Sequence, residues 1–341
     1  MSDNELQHSP YTGHDDSKDT VTTDNTPTVV VAEPLPSPRS NIRLYIILAA
    51  EYLSLFIAAL DQTITATALP TISAQLHSGS GYTWIGGAYL LANASFAPIW
   101  ASLSNIWGRK PVHLVATAVF AIGSIICATA PTMQVLIAGR AIQGSAGGAL
   151  MQLTTITISD LFSMRQRSLV LGFLEFVWAL AGGIGPVLGG TFTEKVTWRW
   201  NFWVNLPICG LTFGLLAIFL DVHNPRTNAK DGLKAIDWVG SLTILGFVLM
   251  LLIGLDMGGT FYPWSSPRVI ALIVAGCVLA GMFILTERKL ARYPLIPKRI
   301  FSAPSNIASL VVVGCHGFVS YSFGPLTVLV LIYIPPGLHS W

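Results

Sequence analysis

Charged residues are scarce in this chain of 341 residues. Asp, Glu, Lys and Arg together make up 11%, against about 25% in ordinary soluble domains, whereas hydrophobic residues account for 52%. The net charge is only +2, and the basic residues are dispersed instead of forming one basic patch, so nothing predicts nucleic-acid binding. This composition excludes an ordinary soluble globular domain.

Motifs of the common enzyme classes are missing as well. The four cysteines all lie in apolar segments and lack the spacing of metal ligands. No GxxxxGK[ST] phosphate-binding loop occurs, so the sequence predicts no ATP site. The seven histidines are scattered, and no nucleophile–base pair emerges. We therefore expect no enzyme, no cofactor and no bound metal; a membrane-bound enzyme or receptor would need one of these clusters.

Long apolar segments, in contrast, are abundant. A helix of about 20 apolar residues is long enough to cross a bilayer. The sequence predicts an all-α membrane protein with about nine transmembrane helices, near residues 44–62, 82–104, 112–131, 134–157, 168–193, 201–220, 237–256, 268–286 and 306–334.

The positions of lysine and arginine predict the orientation, because these residues concentrate in cytoplasmic loops. With a cytoplasmic N-terminus, 15 of the 19 lie on the cytoplasmic side and three lie outside. The remaining one, Arg140, lies within the predicted span 134–157. Trp198, Trp200 and Phe202 follow the fifth span and predict an aromatic belt at the outer surface.

Five motifs occur in order along the first six predicted helices. They are LDQTITATALP (60–70), SLSNIWGRK (102–110), GRAIQG (139–144), GIGPVLGG (183–190) and WRWNFWVNLP (198–207). Together they resemble the major facilitator superfamily, specifically its fourteen-helix drug:proton antiporter branch and, within it, the fungal exporters of drugs and secondary metabolites. That branch has fourteen helices and this chain has room for about nine. We therefore interpret the chain as C-terminally truncated.

The resemblance implies the major facilitator fold and a domain order. Residues 1–40 are polar and proline-rich, which is typical of a disordered cytoplasmic tail. A complete N-terminal six-helix bundle (41–220) is expected next. A cytoplasmic loop (221–236), two linking helices (237–286) and the start of the truncated second bundle (287–341) follow.

Four ionisable residues within the spans are candidates for proton coupling, because charged groups inside a membrane usually mark function or a polar partner. The resemblance assigns proton transfer to Arg140 and implicates Asp61, near the outer end of the first predicted helix. The alternatives are a static buried ion pair for Arg140 and an interfacial cap for Asp61. Glu51 and Glu175 lie mid-helix, and each either carries a proton or makes a polar contact inside the bundle. The sequence leaves open whether Asp61 or Glu51 pairs with Arg140.

A glycine-rich stretch in the fifth helix matches the signature that the family calls antiporter-specific. Glycines let a neighbouring helix approach closely, and proline removes one main-chain hydrogen bond. The stretch fits a hinge that opens and closes a cavity, or simple tight packing. Its members are Gly182, Gly183, Gly185, Pro186, Gly189 and Gly190.

The loop after the second helix is the gating loop implied by the resemblance, and it contains Asn105, Gly108, Arg109 and Lys110. Gly108 permits a tight turn, and the two basic residues keep the loop in the cytoplasm. The family prefers aspartate where Asn105 stands. Losing that acid removes a charge expected to latch the loop to the second bundle.

These features predict proton-driven efflux, by antiport, of amphipathic organic molecules such as drugs, toxins or secondary metabolites, with the plasma membrane as the expected location. Gln143, Tyr89, Trp178 and Phe176 are candidates for lining a broad apolar cavity. The expected partners are membrane lipid, protons and a small-molecule substrate, not nucleic acid; self-association is left open. The alternative is a non-transporting truncated remnant of such an exporter, because alternating access needs the second bundle.

Overall fold

Helices make up nearly all regular structure in the computed structural model, which describes residues 41–79, 81–221, 238–259, 261–289 and 304–333. The predicted tail 1–40 and most of the predicted loop 221–236 lie outside the described residues. The helices are α1 (Asn41–Gln75), α2 (Gly81–Trp107), α3 (Arg109–Thr129), α4 (Met133–Leu161), α5 (Met164–Lys195), α6 (Trp200–Trp203), α7 (Asn205–Phe219), α8 (Trp238–Met257), α9 (Pro267–Lys289) and α10 (Pro304–Tyr333).

Each predicted span coincides with one helix or, for 201–220, with α6 and α7 together. Within the described residues, six spans are long and apolar enough to cross a membrane: Ile42–Gln75, Arg109–Thr129, Met164–Lys195, Trp200–Phe219, Trp238–Met257 and Pro267–Arg288. Glycine and polar residues interrupt the apolar sequences of α2 and α4, and other helices bury much of α4. A helix covered by protein needs no continuous apolar surface. The prediction of an all-α membrane protein is confirmed.

α1 continues past its predicted end at residue 62 and runs to Gln75. Its threonine-rich run remains helical although threonine is a weak helix former, because α1 packs against α5 and α7. The threonine hydroxyl groups are satisfied by carbonyl oxygens of the preceding turn. Thr65 Oγ1 donates to the Asp61 carbonyl at 2.7 Å, and Thr67 Oγ1 donates to the Ile64 carbonyl at 3.0 Å. Asp61 therefore lies well inside α1 and is fully buried. The predicted position near the helix end was wrong, and an interfacial cap is excluded.

The helices α1 to α7 pack against one another as one bundle. α4 contacts α1, α2, α3 and α5, while α1 packs on α5 and α7, and α3 packs on α7. The contact between α4 and α2 is close: a Cβ atom at Gly144 would meet the backbone of Tyr89, and one at Gly148 would lie 2.7 Å from the Asn93 carbonyl oxygen. This packing brings side chains of α1, α3, α4 and α7 together in the bundle interior.

The later helices are less buried. α8 and α9 pack against each other, and α8 also contacts α2. Along α10, the side chains from Ser305 to His316 are exposed. The domain roles expected for these helices, as linkers and as the start of a second bundle, remain predictions.

The aromatic motif before α7 packs inward. Trp198 is 1% exposed and Phe202 is 0% exposed, and their rings meet edge to face with centroids 6.1 Å apart. Trp198 Nε1 donates to Gln75 Oε1 at 2.8 Å, which ties this segment to the end of α1. The predicted aromatic belt was therefore wrong for these two residues, and of the three belt candidates only Trp200 is exposed.

Candidate functional site

A buried ion pair joins α1 to α4 in the bundle interior. Arg140 Nη1 bonds to Asp61 Oδ2, and the two side chains are 2% and 0% exposed. Arg140 Nε donates to the Ile85 carbonyl oxygen at 3.1 Å, and the guanidinium lies 4.3 Å from the Tyr89 ring centroid. A carboxylate and an aromatic face both stabilise a cation that has lost its water. Arg140 thus pairs with Asp61 and not with Glu51.

Two amide side chains complete the surroundings of Asp61. Gln143 Nε2 and Asn205 Nδ2 donate to Asp61 Oδ1 at 2.7 and 2.8 Å. Gln143 also accepts a bond from Arg140 Nη1 at 2.8 Å and donates to Ser124 Oγ at 2.9 Å. The carboxylate is therefore held by donors from α4 and α7, which replace the water that it would have outside the membrane.

Small residues make this network geometrically feasible. A Cβ atom at Gly123 of α3 would lie 2.8 Å from the Gln143 backbone nitrogen, so the missing side chain lets α3 approach α4. The next residue, Ser124, then reaches Gln143. On the α2 side, the Gly144 contact with Tyr89 brings α2 against the same turn of α4 as Arg140. The motif GRAIQG thus supplies both the cation and the glycine that allows its burial.

The arrangement is matched to an ionised Asp61. The carboxylate and guanidinium neutralise each other, and every contact on the Asp61 oxygens comes from a donor. Protonating Asp61 would remove one charge and leave Arg140 without its anionic partner. Binding of one proton can therefore alter the connection between α1 and α4.

A second polar cluster lies between α1 and α3. Glu51 Oε2 lies 3.6 Å from His113 Nδ1, and both side chains are 0% exposed. His113 Nε2 lies 2.8 Å from Ser54 Oγ. Neither Glu51 carboxyl oxygen has a hydrogen-bond partner among the described residues. The Thr154 hydroxyl of α4 lies beside this carboxyl group but donates to the Glu51 main-chain carbonyl oxygen, at 3.3 Å. Glu51 is therefore buried without the charged and amide donors that hold Asp61.

The structure brings to these sites four residues that were not predicted from the sequence: Asn205, His113, Ser124 and Ser54. Asn205 donates to Asp61 from α7, and a single asparagine at a helix start carries no signal of such a contact. His113 faces Glu51. It had a signal that was not used: an ionisable residue in a predicted span is a functional candidate by default.

Glu175 is not part of either cluster. Its side chain is exposed on α5, as is that of Phe176, whereas Trp178 is half-buried. The other two cavity candidates, Gln143 and Tyr89, are fully buried in the Arg140 network. Their predicted contact with a substrate stays a prediction, as does a proton-carrying role for Glu175.

The glycine-rich stretch of α5 divides into two faces. Gly185 and Gly189 are buried, and a Cβ atom at either would collide with Thr63, Ile64 or Thr67 of α1. Added Cβ atoms at Gly182, Gly183 and Gly190 would meet nothing within 4 Å. The helix continues through Pro186. Tight packing accounts for one face, and a hinge role remains a prediction for the stretch as a whole.

The α2–α3 loop is tied to α4 by Arg109. Gly108 has φ 92°, a left-handed conformation that favours glycine. Arg109 Nε donates to Asp160 Oδ2 of α4 at 2.9 Å, and Arg109 Nη1 donates to Asn105 Oδ1 at 2.6 Å. Asn105 thus accepts from Arg109 in this structure. The predicted gating role of this loop, with Lys110 beside it, remains untested.

Comparison with known proteins gives a consistent result. A family model described as Major Facilitator Superfamily matches residues 52–338. The chain is 47% identical over 307 residues to "Efflux pump dotC" of Dothistroma septosporum, which covers 86% of this chain and 53% of the relative. It is 37% identical over 293 residues to "Efflux pump FUS6" of Gibberella fujikuroi, with 85% and 53% covered. The chain spans about half the length of these curated relatives.

A more distant similarity extends to a solved structure, the human organic anion transporter MFSD10. It is 20% identical, with a TM-score of 0.48, and the match covers 67% of this chain and 59% of that chain. The family model covers most of the chain and agrees with the membrane-spanning helices and with the close efflux-pump relatives. The chain belongs to the major facilitator superfamily of membrane transporters.

Proposed function

We propose that this chain works in proton-coupled efflux, in which protons move inward and amphipathic organic molecules move outward. The observation that carries the proposal is the buried Asp61–Arg140 pair, found in a membrane transporter whose relatives include proteins named efflux pumps. A charged pair of this kind is costly inside a membrane and is a usual mark of a proton or substrate pathway.

Asp61 is the proton acceptor in this proposal. Its carboxylate is held by Arg140, Gln143 and Asn205. A proton arriving at Asp61 displaces Arg140 from the carboxylate and weakens the tie between α1 and α4. Proton binding thereby favours a different packing of the bundle, which is what coupling to alternating access requires.

The exposed face of α5 is the part of the proposed cargo surface that the structure describes. Glu175 and Phe176 are exposed there, and the rings of Phe173 and Phe176 lie 5.2 Å apart. A carboxylate facing lipid would be costly, so this face fits a water-filled cavity better. Aromatic rings beside an acid suit an amphipathic molecule, with contacts that depend on shape and apolar area.

A cytoplasmic N-terminus and a plasma-membrane location belong to the same proposal. The distribution of lysine and arginine supports this orientation. A pump that exports toxic or secreted molecules from the cell would act at the plasma membrane.

The test is cellular accumulation of amphipathic fluorescent dyes, beginning with ethidium, in cells expressing this chain. We expect less dye than in empty cells, and the difference should disappear when a protonophore collapses the proton gradient. Arg140→Ala should abolish the difference, because it leaves Asp61 buried without its cation. Arg268→Ala is the matched control, since Arg268 is exposed and, among the described residues, its side chain contacts the hydroxyl and ring of Tyr262.

Equal accumulation in expressing and empty cells across a dye panel, with the protein present in the membrane, would contradict export by this chain and favour the non-transporting alternative. Export that survives both the protonophore and Arg140→Ala would contradict proton coupling while leaving efflux standing.

A further inference from the structure

The cluster of Glu51, His113 and Ser54 has an unbalanced set of hydrogen-bonding groups. Both carboxyl oxygens of Glu51 and the Nδ1 atom of His113 lack hydrogen-bond partners among the described residues, although all three are buried. The two side chains nevertheless face each other at 3.6 Å. A buried polar group without a partner costs free energy, and one proton placed between Oε2 and Nδ1 would serve both.

The net charge of the Glu51–His113 pair also favours one shared proton. We count protons beyond the single N–H of neutral histidine. With no such proton, Glu51 is an anion without a cationic partner; with two, His113 is a cation without an anionic partner. With a single proton the cluster is either neutral or an internal ion pair, and its net charge is zero. Since an isolated charge is strongly disfavoured in apolar surroundings, the one-proton state is the state that fits this enclosed site.

Ser54 is placed to accept a hydrogen bond from His113 in the tautomer that leaves Nδ1 as an acceptor toward Glu51. Ser54 Oγ lies 2.8 Å from His113 Nε2 and can accept a bond from an Nε2–H group. Neutral histidine carries its proton on only one ring nitrogen, so this tautomer leaves a lone pair on Nδ1. That lone pair faces the Glu51 carboxyl group at 3.6 Å, just beyond hydrogen-bond distance. A small approach of the two side chains would let a protonated Glu51 oxygen donate to Nδ1.

No other charged residue on the packed helices replaces His113 as a partner of Glu51. Among the described residues, only His113 lies within ion-pair distance of it. Asp61 and Arg140 bind each other, and Arg109 binds Asp160. Helices α2, α6 and α7 contain no acidic or basic residue. The remaining charged groups of α3 and α5 are Lys110, Arg165, Arg167, Glu175, Glu194 and Lys195.

We propose that Glu51 and His113 form a second proton-binding site, separate from Asp61, that holds one proton in this conformation and releases it when the Glu51–His113 contact opens to water. On release, the Glu51 O–H bond breaks and the proton passes to water, while His113 stays neutral and the carboxylate gains hydration. Its role in transport rests on the proposed proton coupling, but the presence of the proton does not.

The protonation state proposed for Glu51 differs from that of Asp61, and this difference suggests how the two sites work together. Asp61 has hydrogen-bond donors for its ionised form, whereas Glu51 has none and carries the proton itself in the proposed state. Two carboxyl groups of α1 therefore occupy opposite protonation states in one conformation. A conformational change that exposes one and encloses the other would exchange their states.

Infrared spectroscopy of the purified full chain at neutral pH, in dodecyl maltoside micelles that contain no ester carbonyl groups, tests the site without any transport. Exposed carboxyl groups are ionised at this pH, so the C=O stretch of a protonated carboxyl reports enclosed acids. We expect such a band in the unmodified protein, its loss in Glu51→Gln, and its retention in Asp61→Asn. His113→Gln should keep the band but move its frequency, because an amide oxygen replaces the imidazole Nδ1 as the acceptor.

Three results would overturn the inference: no protonated-carboxyl band in the unmodified protein, a band that survives Glu51→Gln, or a band whose frequency is the same in His113→Gln. The last would reduce His113 to a packing residue. The band does not depend on export, so a chain with the band but no dye efflux would contradict the proposed function and leave this site intact.

Discussion

The two carboxyl groups on α1, those of Asp61 and Glu51, have very different local surroundings. Asp61 receives bonds from Arg140, Gln143 and Asn205, whereas Glu51 receives none from the described residues. Burial is complete for both, so the difference lies in the donors. A pair of acids with such unlike surroundings is the usual basis for dividing acid and base roles.

Replacing Asn205 with leucine, which is similar in size, removes one donor from the buried Asp61 carboxylate. Because hydrogen bonds to charged groups contribute about 1.5–3 kcal/mol, we expect Asn205→Leu to lower the free energy of unfolding by about that amount. In an Asp61→Asn background the same change should cost only about 1 kcal/mol, since the acceptor is then neutral. Unfolding in mixed micelles by titration with a denaturing detergent measures all four proteins.

The comparison carries its own control, because both backgrounds lose the same volume of side chain. Equal losses in the two backgrounds would mean that Asn205 packs beside Asp61 without stabilising its charge.

The sequence could predict some members of the Asp61 and Glu51 clusters but not all of them. Arg140 and Gln143 are three residues apart on one helix, so their shared face follows from helical spacing. Asn205 and Ser124 belong to other helices, and their approach depends on how α3 and α7 pack against α4. His113 meets Glu51 because α4 and α7 each pack against both α1 and α3 and so bring the two side chains together.

At the scale of elements, the contact between α1 and α5 depends on which glycines face the neighbouring helix. Gly185 and Gly189 face Thr63, Ile64 and Thr67, whereas Gly190 faces open space. Glycines four residues apart allow the two backbones to approach closely.

Adding one methyl group to each face tests this division. An alanine Cβ at Gly189 would collide with the carbonyl oxygen of Ile64, which is backbone and cannot rotate away. We expect Gly189→Ala to destabilise the protein by about 1–3 kcal/mol, as overpacking does, and to reduce dye export. Gly190→Ala is the matched control and should be neutral or slightly stabilising, because alanine is the better helix former. Unfolding in mixed micelles and dye accumulation measure the two effects.

If Gly190→Ala abolished export while Gly189→Ala did not, the open face would be the functional one and the close contact would be dispensable.

The sequence identified this stretch as a unit but could not orient it. Helical spacing places Gly185 and Gly189 on one face, yet only the packed structure shows that this face meets α1. The end of α1 is a similar case: the predicted span ended at residue 62, but packing against α5 and α7 keeps the chain helical to Gln75. Both outcomes depend on contacts that hydropathy does not encode.

At the scale of the whole molecule, hydropathy predicted the helices well because the bilayer imposes a nearly uniform length on them. The nine predicted spans all correspond to helices, including α2 and α4, which are less apolar because they are covered by protein or carry polar residues. Pairing among the helices was not predictable, since it depends on small residues such as Gly123 and Gly148 that allow close approach. The bundle of α1 to α7 then brings together the ion pair and the Glu51–His113 cluster.

In the proposed mechanism Asp61 couples proton movement to export. Proton flux in proteoliposomes tests this coupling most directly. The purified chain is reconstituted with a pH-sensitive dye inside, and a molecule found to be exported in the accumulation assay is added. We expect substrate-dependent proton movement in the opposite direction to the substrate. In Asp61→Asn, proton movement should stop while exchange of labelled for unlabelled substrate continues, because a neutral amide cannot release a proton. Undiminished proton movement in Asp61→Asn would contradict the account.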